Sequence, residues 1–365
     1  MRTPKWLAVA SAGALAVGVA ACGGSSGGSG GGGGQAKQGG TINGAGATFP
    51  QPVYDEWGKQ IKDKAGVTVN YQGIGSGGGV AQFTAGTVDF GATDSAMKDE
   101  EVTAAKKKGE PVHIPSVFGA VTMAYNVEGV QKGLKLDGST AADIFLGKVK
   151  TWNDQSIAKL NPGVKLPSTK ITIVHRSDES GTTKLFTTFL SAYSKDWESG
   201  PGADKTVKWP TGTGAKGNAG VAAAVKQTDG GIGYVEQAYA LQNNFTTASV
   251  KNKVGNFVAP SLESTSAAGE GVKLPSDLRF DAINAPGDQA YPIASATFLL
   301  AYKDMCKAGK SEQVAKSVVS WLNFALSDGQ QIAPQLQYAA LPDKIRQKAQ
   351  AKVDGLECNG KPLKG

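Results

Sequence analysis

Two rhythms of apolar and polar residues alternate along the chain. Short runs with alternating or β-branched character predict strands at Val67-Thr68-Val69-Asn70-Tyr71, Val88-Asp89-Phe90, Ile171-Thr172-Ile173-Val174 and Gly231-Ile232-Gly233-Tyr234-Val235. Between them a period near 3.6 predicts helices over 53–64, 78–86, 99–108, 140–147, 182–194, 218–227 and 311–327. In the last of these, Val314, Val318, Trp321, Leu322 and Ala325 share one face. Strands that alternate with helices predict an α/β fold. The stretch from about residue 40 to 365 is long for one core and suits two lobes. No internal repeat is evident.

The N-terminal apolar run differs in kind. Arg2 and Lys5 precede sixteen mostly small or apolar residues, Trp6 to Ala21, fewer than the ~20 that span a bilayer. Residues 1–21 therefore read as a signal peptide. Val19-Ala20-Ala21-Cys22 resembles the lipobox of bacterial lipoproteins, in which the Cys thiol is acylated and the leader is cut just before it; the other reading is an ordinary leader with an incidental Cys. Residues 23–40 are nearly all Gly and Ser and cannot bury enough apolar surface to order themselves. Together, 22–40 read as an anchor and tether with a reach of roughly 25 Å. Two acyl chains at Cys22 anchor a protein stably where one does not.

Charge adds little. Loss of Arg2 and Lys5 with the leader lowers the formal +7 to +5, and the single basic run, Lys106-Lys107-Lys108, fits the end of an exposed helix. Nucleic-acid binding needs a denser basic stripe interleaved with aromatics, and is excluded on that ground. Cys306 and Cys358, in an oxidising compartment, are read as a disulfide or as two buried thiols; a bond would be worth on the order of 4 kcal/mol in the chain-entropy picture. His113 and His175 are far apart, and no CxxC or HxxxH spacing suggests a metal.

Three Gly-rich segments lie between a strand signal and a helix signal: Gly44-Ala45-Gly46-Ala47-Thr48-Phe49-Pro50, Gly73-Ile74-Gly75-Ser76-Gly77-Gly78-Gly79, and Arg176-Ser177-Asp178-Glu179-Ser180-Gly181-Thr182-Thr183. Free N–H groups at a helix start, flanked by small hydroxyls, make an anion site. Any one segment is equally a tight turn with a Ser or Thr N-cap. Three in one chain, one with an Arg, favour the anion. A fourth, Gly212-Thr213-Gly214-Ala215-Lys216-Gly217, fits a dinucleotide fingerprint, but Trp209-Pro210 before it is a poor end for a central strand, so it reads as a surface loop. Ser76 and Ser180 lie outside a GxSxG setting, and Ser156-Ile157-Ala158-Lys159 reads as chance.

In order and spacing, these segments resemble those of the phosphate-binding component of bacterial phosphate ABC importers. So do Val69-Asn70-Tyr71-Gln72-Gly73-Ile74-Gly75-Ser76, Thr87-Val88-Asp89-Phe90-Gly91-Ala92-Thr93-Asp94, Lys159-Leu160-Asn161-Pro162-Gly163 and Gly231-Ile232-Gly233-Tyr234-Val235-Glu236. The resemblance implies a two-lobed α/β periplasmic-binding-protein (type II) fold with two hinge crossings, near Phe118–Val121 and Tyr291–Ser295. Lobe I would comprise 41–118 plus 294–365, and lobe II 119–293. It implies phosphate contacts from Thr48, Phe49, Ser76, Asp94, Arg176, Ser180, Gly181 and Thr182, with Asp178 as partner of Arg176. Glu179 stands where many relatives carry Gly and is expected to turn to solvent; Gly77 leaves one hydroxyl fewer nearby. Asp94 suits phosphate because phosphate keeps a proton that a carboxylate can accept, whereas sulfate has none. The resemblance further implies no enzyme activity, no cofactor and no metal. It implies export, a lipid anchor on the outer face of the cytoplasmic membrane, and permease subunits as partners. A receptor for sulfate or molybdate, an exported phosphatase and a structural surface protein are the competing classes; turnover of a phosphate ester and an anion competition discriminate among them.

Overall fold

The structure is a computed structural model that describes residues 39–130 and 133–363. The leader, Cys22 and all of the tether but Gly39 and Gly40 lie outside the described residues. The elements that carry the site are, in chain order, β1 (Thr41–Gly46), α1 (Gln51–Ala65), β2 (Thr68–Gly73), α2 (Ser76–Ala85), β3 (Phe90–Thr93), β4 (Pro111–Asn126), β5 (Thr172–Arg176), α3 (Gly181–Tyr193), β6 (Thr213–Ala215), α4 (Gly217–Gln227), β7 (Gly231–Glu236), β8 (Ile293–Tyr302) and α5 (Glu312–Leu326).

Local chemistry explains most of their limits. Pro52 in the first turn of α1 sets the backbone, and Gly66 in the left-handed region ends the helix, while Val53, Tyr54, Trp57 and Ile61 form its buried face. Ser180 caps α3 by accepting from the Thr183 N–H at 3.1 Å. On α5 the expected face is buried, with Trp321 against Tyr54 and Trp57, although Val314 at its start is only half-buried. The strand expected at Val88 instead begins at Phe90. Asp89 holds the entry turn, accepting from the Asn43 N–H at 2.8 Å and pairing with Lys310 at 3.0 Å.

The same strand order occurs twice. Parallel β2, β1 and β3 are followed by antiparallel β8; parallel β6, β5 and β7 are followed by antiparallel β4. β4 and β8 pair with each other and join the two sets. Along β4, Ile114, Val117 and Phe118 belong to one apolar core and Ala120, Val121 and Met123 to another; along β8, Ile293 belongs to the second and Ala294 to the first. The core thus changes in the interior of β4 and at the first residues of β8. This is the two-lobed binding-protein fold.

Cys306 and Cys358 are joined in a disulfide, Cα to Cα 4.8 Å, that ties the start of a loop after β8 to the C-terminal hairpin. The loop closed spans 52 residues. Replacing both with Ser should lower the unfolding free energy by about 4 kcal/mol in the chain-entropy picture. Urea denaturation of the two proteins checks it, and an unchanged midpoint would show that the C-terminal segment is held by packing alone.

Candidate functional site

Three turns converge where the two cores meet. The first leaves β1 through Thr48 and Phe49. Two tyrosines engage its carbonyls: Tyr239 donates to Thr48 O at 2.6 Å and Tyr338 to Phe49 O at 2.7 Å. The Phe49 N–H has no acceptor among the described residues. The second turn enters α2 through Gly75, which offers no capping side chain, so the Ser76 N–H is unpaired as well. The third runs from Arg176 at the end of β5 to the start of α3, where the N–H groups of Gly181 and Thr182 likewise lack partners. Two helix starts therefore face one point with their positive ends. Gly181 permits this approach: a Cβ there would lie 2.6 Å from Ser76 Oγ and 2.7 Å from Asp94 Cβ.

Arg176 supplies the formal positive charge. Its Nε and Nη2 donate to the two oxygens of Asp178 at 2.8 and 2.5 Å. Nη1 donates to Thr182 Oγ1 at 3.5 Å and keeps a second hydrogen for another acceptor. Burial works against the charge of Asp178, yet the hydrogen bonds and charge of Arg176, with the Gly217 N–H, hold its carboxyl below the ordinary range.

Asp94 places a buried acceptor among these donors. It accepts from Thr297 Oγ1 at 2.9 Å and from Ser76 Oγ at 3.3 Å. Burial pushes its carboxyl up to about 7, against the opposing effects of Thr297, Arg176 and Ser76. Such a carboxyl can take or give a proton near neutrality.

Every residue singled out for the anion thus comes to one place: Thr48, Phe49, Ser76, Asp94, Arg176, Ser180, Gly181 and Thr182 are all buried there, and Asp178 is half-buried beside them. Glu179 is exposed, as expected, but its carboxylate lies over the start of α2, where a Cβ on residue 77 would collide with it. Gly77 makes that room, and its N–H donates to the Glu179 carbonyl at 3.1 Å. His175 stacks on Trp209 at 4.7 Å, pointing away from catalytic use. Among the described residues no cluster is placed to hold a metal.

Sequence reasoning missed Asn218, Thr297, Tyr239 and Tyr338. Of these only Asn218 had a signal: it directly follows the fourth Gly-rich segment. The surface loop expected there is instead partly the edge strand β6, Thr213–Ala215, paired parallel to β5, and after it Gly217 and Asn218 turn into the site.

Comparison with known proteins identifies the family. A model described as a PBP superfamily domain matches residues 32–328. The chain is 43% identical over 331 residues to the phosphate-binding protein PstS of Pasteurella multocida, covering 89% of this chain and 94% of that protein. It is 40% identical over 326 residues to the PstS of Methanocaldococcus jannaschii, covering 83% of each. Among solved structures, the high-affinity periplasmic phosphate-binding protein PfluDING, bound with phosphate at pH 8.5, superposes with a TM-score of 0.68 at 22% identity, covering 85% of this chain and 93% of that one.

Two ion pairs of opposite sense bridge the cleft mouth. Lys98 meets Asp204 at 2.6 Å, and Glu101 meets Lys205 at 2.6 Å. The Lys205 side chain is only 6% exposed, and its carbonyl accepts from the Ser180 N–H at 3.0 Å. Glu101→Gln should leave a buried ammonium unpaired in the closed form, a loss of about 2–5 kcal/mol. The anion should then dissociate tenfold or more faster, with association little changed. Stopped-flow tryptophan fluorescence checks this; an unchanged dissociation rate would show that the pair does not hold the lobes together.

Proposed function

The chain belongs to the PBP superfamily and, within it, to the PstS phosphate-binding proteins, and from that premise we propose that it captures inorganic phosphate between two closing lobes and delivers it to an ABC importer. It is a binding protein and not an enzyme. One observation carries the reading of the ligand: a buried carboxyl, Asp94, stands beside the unpaired donors of Ser76, Gly181 and Thr182. A tetrahedral oxyanion needs donors for nearly all its lone pairs once it leaves water. Phe49, Ser76, Gly181 and Thr182 offer N–H groups, Thr48, Ser76, Ser180 and Thr182 hydroxyls, and Arg176 a guanidinium steadied by Asp178. Only an anion that retains a proton also has something to give Asp94. Phosphate does near neutrality; sulfate does not.

In the same reading, lobe I comprises 41–118 and 294–365 and lobe II 119–293. The change of core along β4 and β8 supports these limits, although Ala268, Val272, Leu278 and Phe280 pack on the first core. Residues 1–21 direct export, and Cys22 with the tether to residue 40 holds the body at the outer face of the cytoplasmic membrane, within reach of the permease subunits. No helix among the described residues is long and apolar enough to cross a membrane. Cys22→Ala should abolish acylation and shift the protein to soluble fractions. Fatty-acid label retained by that variant would refute the anchor.

The sign of the pH effect follows from Asp94. Below about pH 7 the carboxyl keeps a proton and can donate to a fully ionised anion; above it, the carboxylate needs a donor. Discrimination against sulfate should therefore strengthen as pH rises through about 7. Asp94→Asn presents an amide that can donate or accept, so the sulfate-to-phosphate affinity ratio should rise and keep only the pH dependence that comes from phosphate's own ionisation. Calorimetry with both anions on both proteins, at pH values well below and well above 7, is the test. No heat with phosphate on the wild type would overturn the function. An unaltered ratio in Asp94→Asn would place selectivity in the donors instead.

A further inference from the structure

Asn218, the second residue of α4, is fully buried and reaches both sides of the cleft. Its Oδ1 accepts from the Glu236 N–H at 2.9 Å. A backbone N–H can only donate, so this contact assigns the amide: oxygen toward Glu236 at the end of β7, nitrogen toward Thr48. Thr48 Oγ1 then receives two hydrogen bonds, one from the Asn218 side-chain Nδ2 at 3.0 Å and one from its backbone N–H at 3.2 Å. A hydroxyl has two lone pairs and one hydrogen. With both lone pairs occupied by donors, its hydrogen can only be given away. Tyr239, donating to the Thr48 carbonyl at 2.6 Å, holds the backbone of this turn in place.

We infer that Asn218 is a positioning residue that makes the Thr48 hydroxyl an obligate donor to the bound anion. Thr48 follows β1 in the first lobe, whereas Asn218 begins α4 beside β5 and β7 in the second. The hydroxyl is therefore oriented only when the lobes are closed. Open, Thr48 is free to donate to water or to its own backbone; closed, it can donate only into the cleft. The fourth Gly-rich segment thereby acquires a role: Gly217, with φ of +69°, turns the chain so that its own N–H meets Asp178 and the next residue meets Thr48. One short turn thus serves both the Arg176–Asp178 pair and Thr48.

This inference rests on the phosphate reading, and a double-mutant cycle separates the two. Phosphate binding is measured by calorimetry on the wild type, Thr48→Val, Asn218→Ala, Asn218→Asp and the corresponding double variants, with thermal melting in the absence of phosphate to compare folding. Loss of one hydrogen bond to a charged group predicts a decrease on the order of tenfold or more for Thr48→Val. Asn218→Asp keeps the volume and the acceptor toward Glu236 but presents an oxygen to Thr48, which draws the hydroxyl hydrogen away from the anion. It should weaken phosphate binding more than Asn218→Ala does. In the Thr48→Val background the effect of Asn218→Ala should nearly vanish, and that of Asn218→Asp should shrink to the repulsion of its charge. If Asn218→Ala does not fold, the isosteric Asn218→Asp comparison alone decides. Equal fold-losses in both backgrounds, or wild-type affinity in Asn218→Asp, would overturn the positioning role while leaving the function intact. Absence of phosphate binding by the wild type would remove the functional reading and this inference together.

Discussion

Backbone N–H groups cannot be left unmet in a dry interior, and the cleft is organised around a set of them. The turns into α1, α2 and α3 each leave donors without a protein acceptor, and burial makes each one costly unless something accepts from it. An oxyanion meets them all at once. Helix starts that would be liabilities in an apolar core become the reason the two lobes close on a ligand. The glycines at these turns follow from the same demand, since side chains there would hold the helix starts apart.

Closure also has a protein component. Charged pairs of opposite sense at the mouth, the Gly77 to Glu179 backbone contact and the Asn218 bridge to Thr48 all join groups from different lobes. None of these can form in an open molecule, so each adds to the difference between the two states and not merely to the stability of either lobe. The link from Lys205 through its carbonyl to Ser180 ties the ion pairs at the mouth directly to the loop beneath. Continuous strands as hinges suit such a device. β4 pairs with β8 as far as Ala120 and with β7 from Val121 onward, so one continuous strand runs through both halves of the sheet.

Asp94 gives the site its chemical judgement. In a field of donors a carboxyl is a cost unless the ligand brings a hydrogen. Burial raises its proton affinity toward neutrality, against the opposing effects of Thr297, Arg176 and Ser76. Shape contributes little, because tetrahedral oxyanions are similar in size; the count of protons distinguishes them.

Much of this was readable along the chain because it is local. Helix periodicity, a glycine after a strand signal, and a Ser or Thr where a helix must start are consequences of backbone geometry, and the three Gly-rich turns carry them within a few residues. That is why the anion-binding segments could be recognised, and with them the family resemblance that named Asp94 and Arg176. Where the interior is apolar on both faces, alternation disappears: β4 and β8, the longest strands of the site and the hinge itself, have no polar face to mark them. The meeting of distant segments was equally hidden. Nothing near Thr48 in the chain announces Asn218, 170 residues away, and nothing near Asp94 announces Thr297, 203 residues away. Which turns could bind an anion is legible in a few neighbouring residues. How each donor and acceptor is aimed is not, because aim depends on hydrogen-bond partners brought together from distant segments.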